Sequence, residues 1–307
     1  MARPPRIVSL LPSATEIVAA LGLLEHLVGR SHECDFPPEV ERVPVCCRPR
    51  IDVSRSSAEI HSQVRASLQT GLSIYDVDLD MLRKLRPDVI LTQTLCDVCA
   101  VTPEDLEALL TSESNDSPCL LDLRPTTLEQ CFGEIHRVAM ALHVAERGHD
   151  VVIELRRGFE DIRGRAARTG DKPTVVCIEW FDPLMTAGNW VPELVEIAGG
   201  RCLGAEPGRH SAWFDWERLL QLDPDVLILM PCGWNLARTR IEATTLTSHP
   251  NWHQLSAVRN GKVYLTDGHQ FFNRPGPRLL TSAEILMEIL HPESRSGRHR
   301  GTNWEKL

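Results

Sequence analysis

Residues 78–91 read Asp78-Leu-Asp-Met-Leu-Arg-Lys-Leu-Arg-Pro-Asp-Val-Ile-Leu91, and residues 215–228 read Asp215-Trp-Glu-Arg-Leu-Leu-Gln-Leu-Asp-Pro-Asp-Val-Leu-Ile228. The two stretches align without a gap. Asp78 can cap a helix, and Asp215 stands at the matching position. Leucines follow at matching positions, Leu82 and Leu85 in one copy, Leu219 and Leu222 in the other. A Pro-Asp turn then leads into a β-branched run. This is the pattern of a short helix, a turn and a buried strand. Any βαβ protein reuses such turns, but the length of the match favours duplication of a whole lobe.

The flanking sequence extends the pattern. Arg6–Leu10 reads as a buried parallel strand. Ser13-Ala-Thr-Glu16 has the form of a capping box, ahead of a helix carrying Ile17, Val18 and Leu21 and stopped by Gly22. Leu27–Gly29, Val89–Thr92 and Leu120–Leu123 read as strands, and Thr102-Pro103-Glu104-Asp105 starts a further helix. From Thr126 to Arg168 strand punctuation disappears. Val152, Leu155, Phe159 and Ile162 recur at helical steps, so Ala145–Ala167 is predicted as one helix of about 35 Å. Its glycines 148, 158 and 164 weaken it locally. Alternation then resumes: Thr174–Ile178 as strand, Val191–Ile197 and Trp213–Leu222 as helices, Val226–Met230 and Val263–Leu265 as strands, and Ser282–Leu290 as a closing helix. The expected fold is α/β, with two mostly parallel sheets joined by a long α-helix and a ligand cleft between the lobes. The expected divisions are residues 1–125, a helical linker 126–170, a second lobe 171–291 and a tail 292–307.

Composition narrows the function. The 307 residues are 42% hydrophobic and 24% charged, within the ordinary globular range, and hold no apolar run long enough to span a membrane. A net charge of −9 is the wrong sign for nucleic-acid binding. The apolar stretch Ile7–Leu11 is too short for a signal-peptide core, so the sequence as written predicts a cytoplasmic protein, or a periplasmic or surface-anchored one if a leader has been removed. In the cytoplasm the ten cysteines read as reduced thiols, metal ligands or redox sites.

Ligands of parallel α/β sheets sit beyond the carboxyl ends of the strands. Aromatic residues are only 5% of the chain, yet Trp180, Phe181, Trp190, Trp213, Phe214, Trp234, Phe271 and Phe272 fall on or beside those loops. As a set they offer stacking faces to a flat, largely apolar ligand. No phosphate-binding glycine loop and no nucleophile elbow is present, so the chain reads as a binder, not an enzyme. Cys34, Cys96, Cys99, Cys232, His32, His210 and His269 map to the same loops. Cys96-Asp-Val-Cys99 is a CxxC pair suited to a metal or to thiol exchange. A second reading is therefore a cytosolic metal or thiol-redox protein, with Cys34, Cys96, Cys99 and Cys232 as metal ligands. Equally, these are small thiols lining a pocket. A single His or Cys could also serve as axial ligand to a metal-centred macrocycle.

The motifs Arg6-Ile-Val-Ser-Leu-Leu-Pro-Ser-Ala-Thr-Glu-Ile17, Asp35-Phe-Pro-Pro38, Leu85-x-Pro-Asp-Val-Ile90, Leu222-Asp-Pro-Asp-Val226 and Asn273-Arg-Pro-Gly-Pro-Arg278, with the helical linker, resemble substrate-binding proteins for cobalamin and ferric siderophores. The likeness runs over about residues 5–291 and is greatest to the cobalamin-binding branch. It implies two Rossmann-like lobes bridged by a rigid helix, and a monomer binding one corrinoid, haem or siderophore-class ligand without a required cofactor. The family's ligand contacts carry over to Pro12, Ser13, Trp180, Phe181, Trp213, Trp234, Phe271 and Phe272, with His32 and His269 added as candidate polar contacts. Family members that deliver to an ABC permease dock through one acid on each lobe, which here falls on Glu104 (or Asp105) and Glu217. Both are also ordinary first-turn helix acids. The insertion Cys46–Tyr75 and the cysteine-bearing loops depart from the simplest cobalamin binders and favour a cytosolic homologue of the exported family.

Overall fold

The computed structural model describes residues 5–70, 73–94, 101, 106, 117–294 and 297–307. The chain forms two compact units. One comprises Met1–Arg55, Ser62–Pro125 and Glu129–Glu154, the other Ser56–His61, Thr126–Leu128 and Leu155–Leu307.

The first unit is built on β1 (Ile7–Ser9), α1 (Pro12–Ala20), β2 (Leu27–Ser31), β3 (Val45–Pro49), α2 (Ser57–Gln69), β4 (Tyr75–Val77), α3 (Leu79–Leu85), β5 (Val89–Thr92) and β6 (Cys119–Asp122). Its six strands run in the order β4-β3-β2-β1-β5-β6. All neighbours are parallel except β3 and β4. β1 and β5 are buried at every residue, as central parallel strands must be. Val8, Leu10, Ile90 and Leu82 pack in one core with Cys46, Cys47 and Tyr75. Burying these side chains is the main stabilising term.

One expectation fails at α1. The helix starts on Pro12 with Leu11 as an extended N-cap, and no side chain caps it. The Thr15 hydroxyl instead lies 2.8 Å from Ser9 Oγ and 3.0 Å from Cys34 Sγ. Pro at the first helical position has no N–H to satisfy, which removes the need for the box.

α4 (Leu128–Ala141) and α5 (Ala145–Ala166) follow. The latter is the expected long helix. Its residues through Glu154 pack with the first unit and those from Leu155 with the second. Gly158 is there for contact: a Cβ would sit 2.5 Å from Leu280 Cδ2.

The second unit contains β7 (Thr174–Phe181), β8 (Leu184–Thr186), α6 (Val191–Ile197), β9 (Arg201–Cys202), α7 (Trp216–Leu222), β10 (Val226–Leu229), α8 (Leu236–Glu242), α9 (Thr244–Thr247), α10 (Ser256–Arg259), β11 (Val263–Thr266), α11 (Leu279–Leu290) and β12 (Trp304–Lys306). The sheet order is β12-β11-β10-β7-β8, with β9 beside β7. The repeat seen in the sequence is structural. Asp78 accepts the Met81 N–H and Asp215 the Arg218 N–H, each at 2.8 Å, capping α3 and α7. Both helices end on a left-handed residue, Arg86 (φ 45°) and Asp223 (φ 34°). Trp213 and Phe214 precede the Asp215 cap, so this helix starts later than the sequence suggested.

Residues 292–307 are not a loose tail. β12 pairs antiparallel with β11, and Trp304 is buried. Trp304 Nε1 donates to Glu288 Oε2 at 2.9 Å, and the Arg298 and His299 N–H groups donate to the same carboxylate. A large side chain with a satisfied polar handle anchors the segment.

Candidate functional site

In the first unit the loops after β1 and β2 carry the predicted residues. Pro12 is half-buried and Ser13 buried, both in the opening turn of α1. His32 Nδ1 lies 3.4 Å from Ser31 Oγ and 4.0 Å from Cys47 Sγ. Its ring is 5.9 Å from Tyr75, and Glu33 is 4.0 Å from Nε2. Cys34 is buried beside Thr15, its thiol 3.9 Å from the Ser9 carbonyl. Cys96, Cys99, Glu104 and Asp105 lie outside the described residues.

The second unit gathers more. β7 ends in Trp180 and Phe181, and the loop after β10 brings Trp234 against both. The Trp180 and Trp234 ring centroids are 5.1 Å apart with planes inclined at 42°. Phe181 meets Trp234 edge-on at 5.6 Å. The Arg238 guanidinium lies 4.5 Å above the Trp234 ring, one helical turn along.

The loop after β11 is tied to that after β10. The His269 N–H donates to the Trp234 carbonyl at 3.0 Å, and Asn273 Nδ2 donates to the Met230 and Gly268 carbonyls. Gly268 is required here, because a Cβ would fall 2.1 Å from the Pro231 carbonyl oxygen. Arg274, buried, places Nη2 3.1 Å from His269 Nε2. Asp267 accepts the N–H groups of His269 and Gln270. Burial nevertheless pushes its carboxyl above the ordinary range, outweighing those bonds and the nearby His269 and Arg274. Glu179 accepts from the Ser211 hydroxyl at 2.8 Å.

Other predicted residues are placed differently. Phe272 is fully buried, and Phe181 and Trp234 nearly so, which leaves Trp180 as the half-buried member of the aromatic cluster. Phe271 is also buried, with Arg278 5.3 Å from its ring. Trp213 is 54% exposed and meets His61 edge-on at 5.1 Å, within the Ser56–His61 stretch that packs with this unit. Glu217 is exposed in the first turn of α7. Cys232 is half-buried, and its N–H donates to the Glu179 carbonyl. Among the described residues no group of three or more His, Cys, Asp or Glu is placed to hold a metal ion. Cys34 belongs to the first unit and Cys232 to the second, and the other two expected ligands, Cys96 and Cys99, lie outside the described residues. A depression of ≈ 320 Å³ lined by Leu21, Arg147, Asp150 and Glu154 is shallow, lacks aromatic side chains and lies on none of these loops.

Sequence reasoning missed Arg238, Arg274, Asp267 and His61. Arg238 was readable, being four residues beyond Trp234 and three beyond the Asn235 cap, whose side chain accepts the Arg238 N–H. His61 was not, since no local pattern links residue 61 to 213.

The sequence profile of the periplasmic binding protein family matches residues 7–269. An ABC transporter substrate-binding lipoprotein of Bacillus subtilis (strain 168) is 21% identical over 306 residues, covering 95% of this chain and 81% of the relative. A vitamin B12-binding protein of Photorhabdus laumondii is 23% identical over 298 residues, covering 94% and 89%. Among solved structures, a periplasmic heme-binding protein from Pseudomonas aeruginosa superposes with a TM-score of 0.71 at 20% identity, covering 95% and 94%. These are binding proteins, not enzymes, in agreement with the absence of a catalytic constellation from the sequence. They overturn the cytoplasmic expectation: the matching family is periplasmic, and the Bacillus subtilis relative is a lipoprotein of an importer system. The cytosolic metal or thiol-redox reading falls with it.

Proposed function

We propose that this chain, which belongs to the periplasmic binding protein family, captures a corrinoid, haem or related metal chelate outside the cytoplasmic membrane and hands it to an ABC-type importer. The observation that carries the reading is the half-buried indole of Trp180 at the carboxyl end of the second sheet, backed by the buried rings of Phe181 and Trp234. Offset indole and phenyl faces suit a flat, largely apolar macrocycle. Relatives named for vitamin B12 and heme binding support the ligand class, and cobalamin or another corrinoid is the ligand we favour.

Pro12, Ser13 and His32 supply contacts from the first unit's loops. Trp213 and His269 add to those of the second. Any metal arrives inside the ligand, so no resident cofactor is needed. Glu104 and Glu217 are the acids offered to a permease; Glu217 is exposed as that role requires.

Equilibrium titration of the purified protein with cyanocobalamin, cobinamide, hemin and a ferric siderophore tests the reading. Saturable quenching of tryptophan fluorescence by at least one is expected. No binding to any of the four would falsify it.

A further inference from the structure

We infer that Ser282 and Trp190 are positioning residues that hold the loop from Asp267 to Asn273 in a single ligand-ready conformation. The inference rests on the reading of that loop as part of the ligand site.

The centre of the argument is the backbone of Phe272. Its φ is 68°, in the left-handed region that a bulky side chain rarely enters. That conformation is unfavourable for a bulky side chain and persists only where the surroundings over-determine it. Two side chains do so here. The Phe272 N–H donates to Ser282 Oγ at 3.0 Å, and the Phe272 carbonyl accepts Trp190 Nε1 at 2.7 Å. Both polar atoms of the strained residue are thus fixed, one by the first turn of α11 and one by the residue preceding α6.

Each holder is itself held. Ser282 is fully buried, and its hydroxyl donates to the Arg278 carbonyl at 3.3 Å while accepting from Phe272. Trp190 is buried on its aromatic body with only the indole N–H directed to this bond. Arg278 adds a third tie, Nη1 donating to Gln270 Oε1 at 2.7 Å. With the Asn273 bonds to the Met230 and Gly268 carbonyls, the loop has anchors on both sides of the strained residue. A loop fixed before the ligand arrives loses less freedom on binding, and that gain appears in the dissociation rate.

Ser282→Ala and Trp190→Phe each remove one holder; the second keeps an aromatic ring but a smaller one, a loss of volume that Trp304→Phe shares. Trp304→Phe is the control. It deletes an indole bond to Glu288, also on α11, and leaves both bonds at Phe272 in place. In ligand-free protein, both loop variants should speed amide exchange over residues 270–273 by about tenfold, the equivalent of one lost buried hydrogen bond. Dissociation of bound cyanocobalamin, or of hemin if that is the probe retained, should accelerate about fivefold to tenfold. Trp304→Phe should lower the melting temperature while leaving both readouts unchanged. Unchanged exchange in both loop variants, or the same acceleration in Trp304→Phe, overturns the inference. If the wild-type protein binds none of the probes, the ligand reading fails, and the exchange result alone decides the clamp. Should Ser282→Ala not fold, Trp190→Phe decides.

Discussion

Asp88 and Asp225 make the same bond in two places. Asp88 Oδ2 accepts the Arg6 N–H at 2.7 Å, and Asp225 Oδ2 accepts the Thr174 N–H at 2.8 Å. Each acid ends a Pro-Asp turn and clips the start of the neighbouring strand, β1 or β7. Asp225 also accepts from the Thr174 hydroxyl, and these bonds hold its carboxyl below the ordinary range. A lowered folded value contributes stability above the ordinary 3.8 and loses it as pH falls through the folded value. Asp225→Ala should therefore lose about 1 kcal/mol at neutral pH. The deficit should shrink in acid below that window, as followed by denaturant unfolding at several pH values.

Trp234 touches Trp180, Phe181 and Arg238 at once. Trp234→Ala removes the shared member of the cluster. Affinity for the ligand identified by titration should fall about tenfold to a hundredfold, the range of a central aromatic contact. Equal affinity in wild type and variant would remove the cluster from the site.

Glu284 lies 3.1 Å from His299 Nε2, and that hydrogen bond is the main cause holding its carboxyl below the ordinary range. The stabilisation is present above the ordinary 4.5 and disappears as pH falls through the folded value. Glu284→Gln should melt lower than wild type at pH 7, and the two melting curves should converge in acid.

Trp304→Ala should cost about 3–5 kcal/mol, the usual range for emptying a buried indole site. Deleting residues 297–307 should do more, because it uncovers the β11 edge. Self-association by light scattering is the expected sign. A monodisperse truncated protein of unchanged stability would show that β12 does not guard the edge.

Burial pushes the Cys202 thiol up to about 12, with Glu196 adding to the effect, and raises Cys177 well above its ordinary range. At pH 8 neither should react appreciably with iodoacetamide, since the thiolate is the nucleophile. Cys119 is exposed and should label first among the described cysteines, as peptide mass mapping would show.

Much of the fold was legible because it is written locally. A cap, a leucine step and a Pro-Asp turn are short-range signals, and the same turn served both sheets. The long helix was visible in the spacing of Val152, Leu155, Phe159 and Ile162. Residues 292–307 were misread because Trp304 depends on Glu288, sixteen residues away, and on pairing with β11. The backbone ties of Phe272 were out of reach for a related reason. An aromatic residue on a loop looks like a ligand face until the buried bonds from Trp190 and Ser282 are seen. The Trp180–Trp234 cluster was indicated by aromatic enrichment on loops, and the four-residue step from Trp234 to Arg238 was equally there to be read.

The placement of β12 also sets a timetable. The neighbour that completes the second sheet is made of residues 304–306, reached only after the whole of α11 has been made. Until those residues are released from a ribosome or a secretion channel, β11 has no partner on that side. A chain passed on in extended form therefore carries a sheet that cannot yet close, and the last step of its folding waits on the arrival of Trp304.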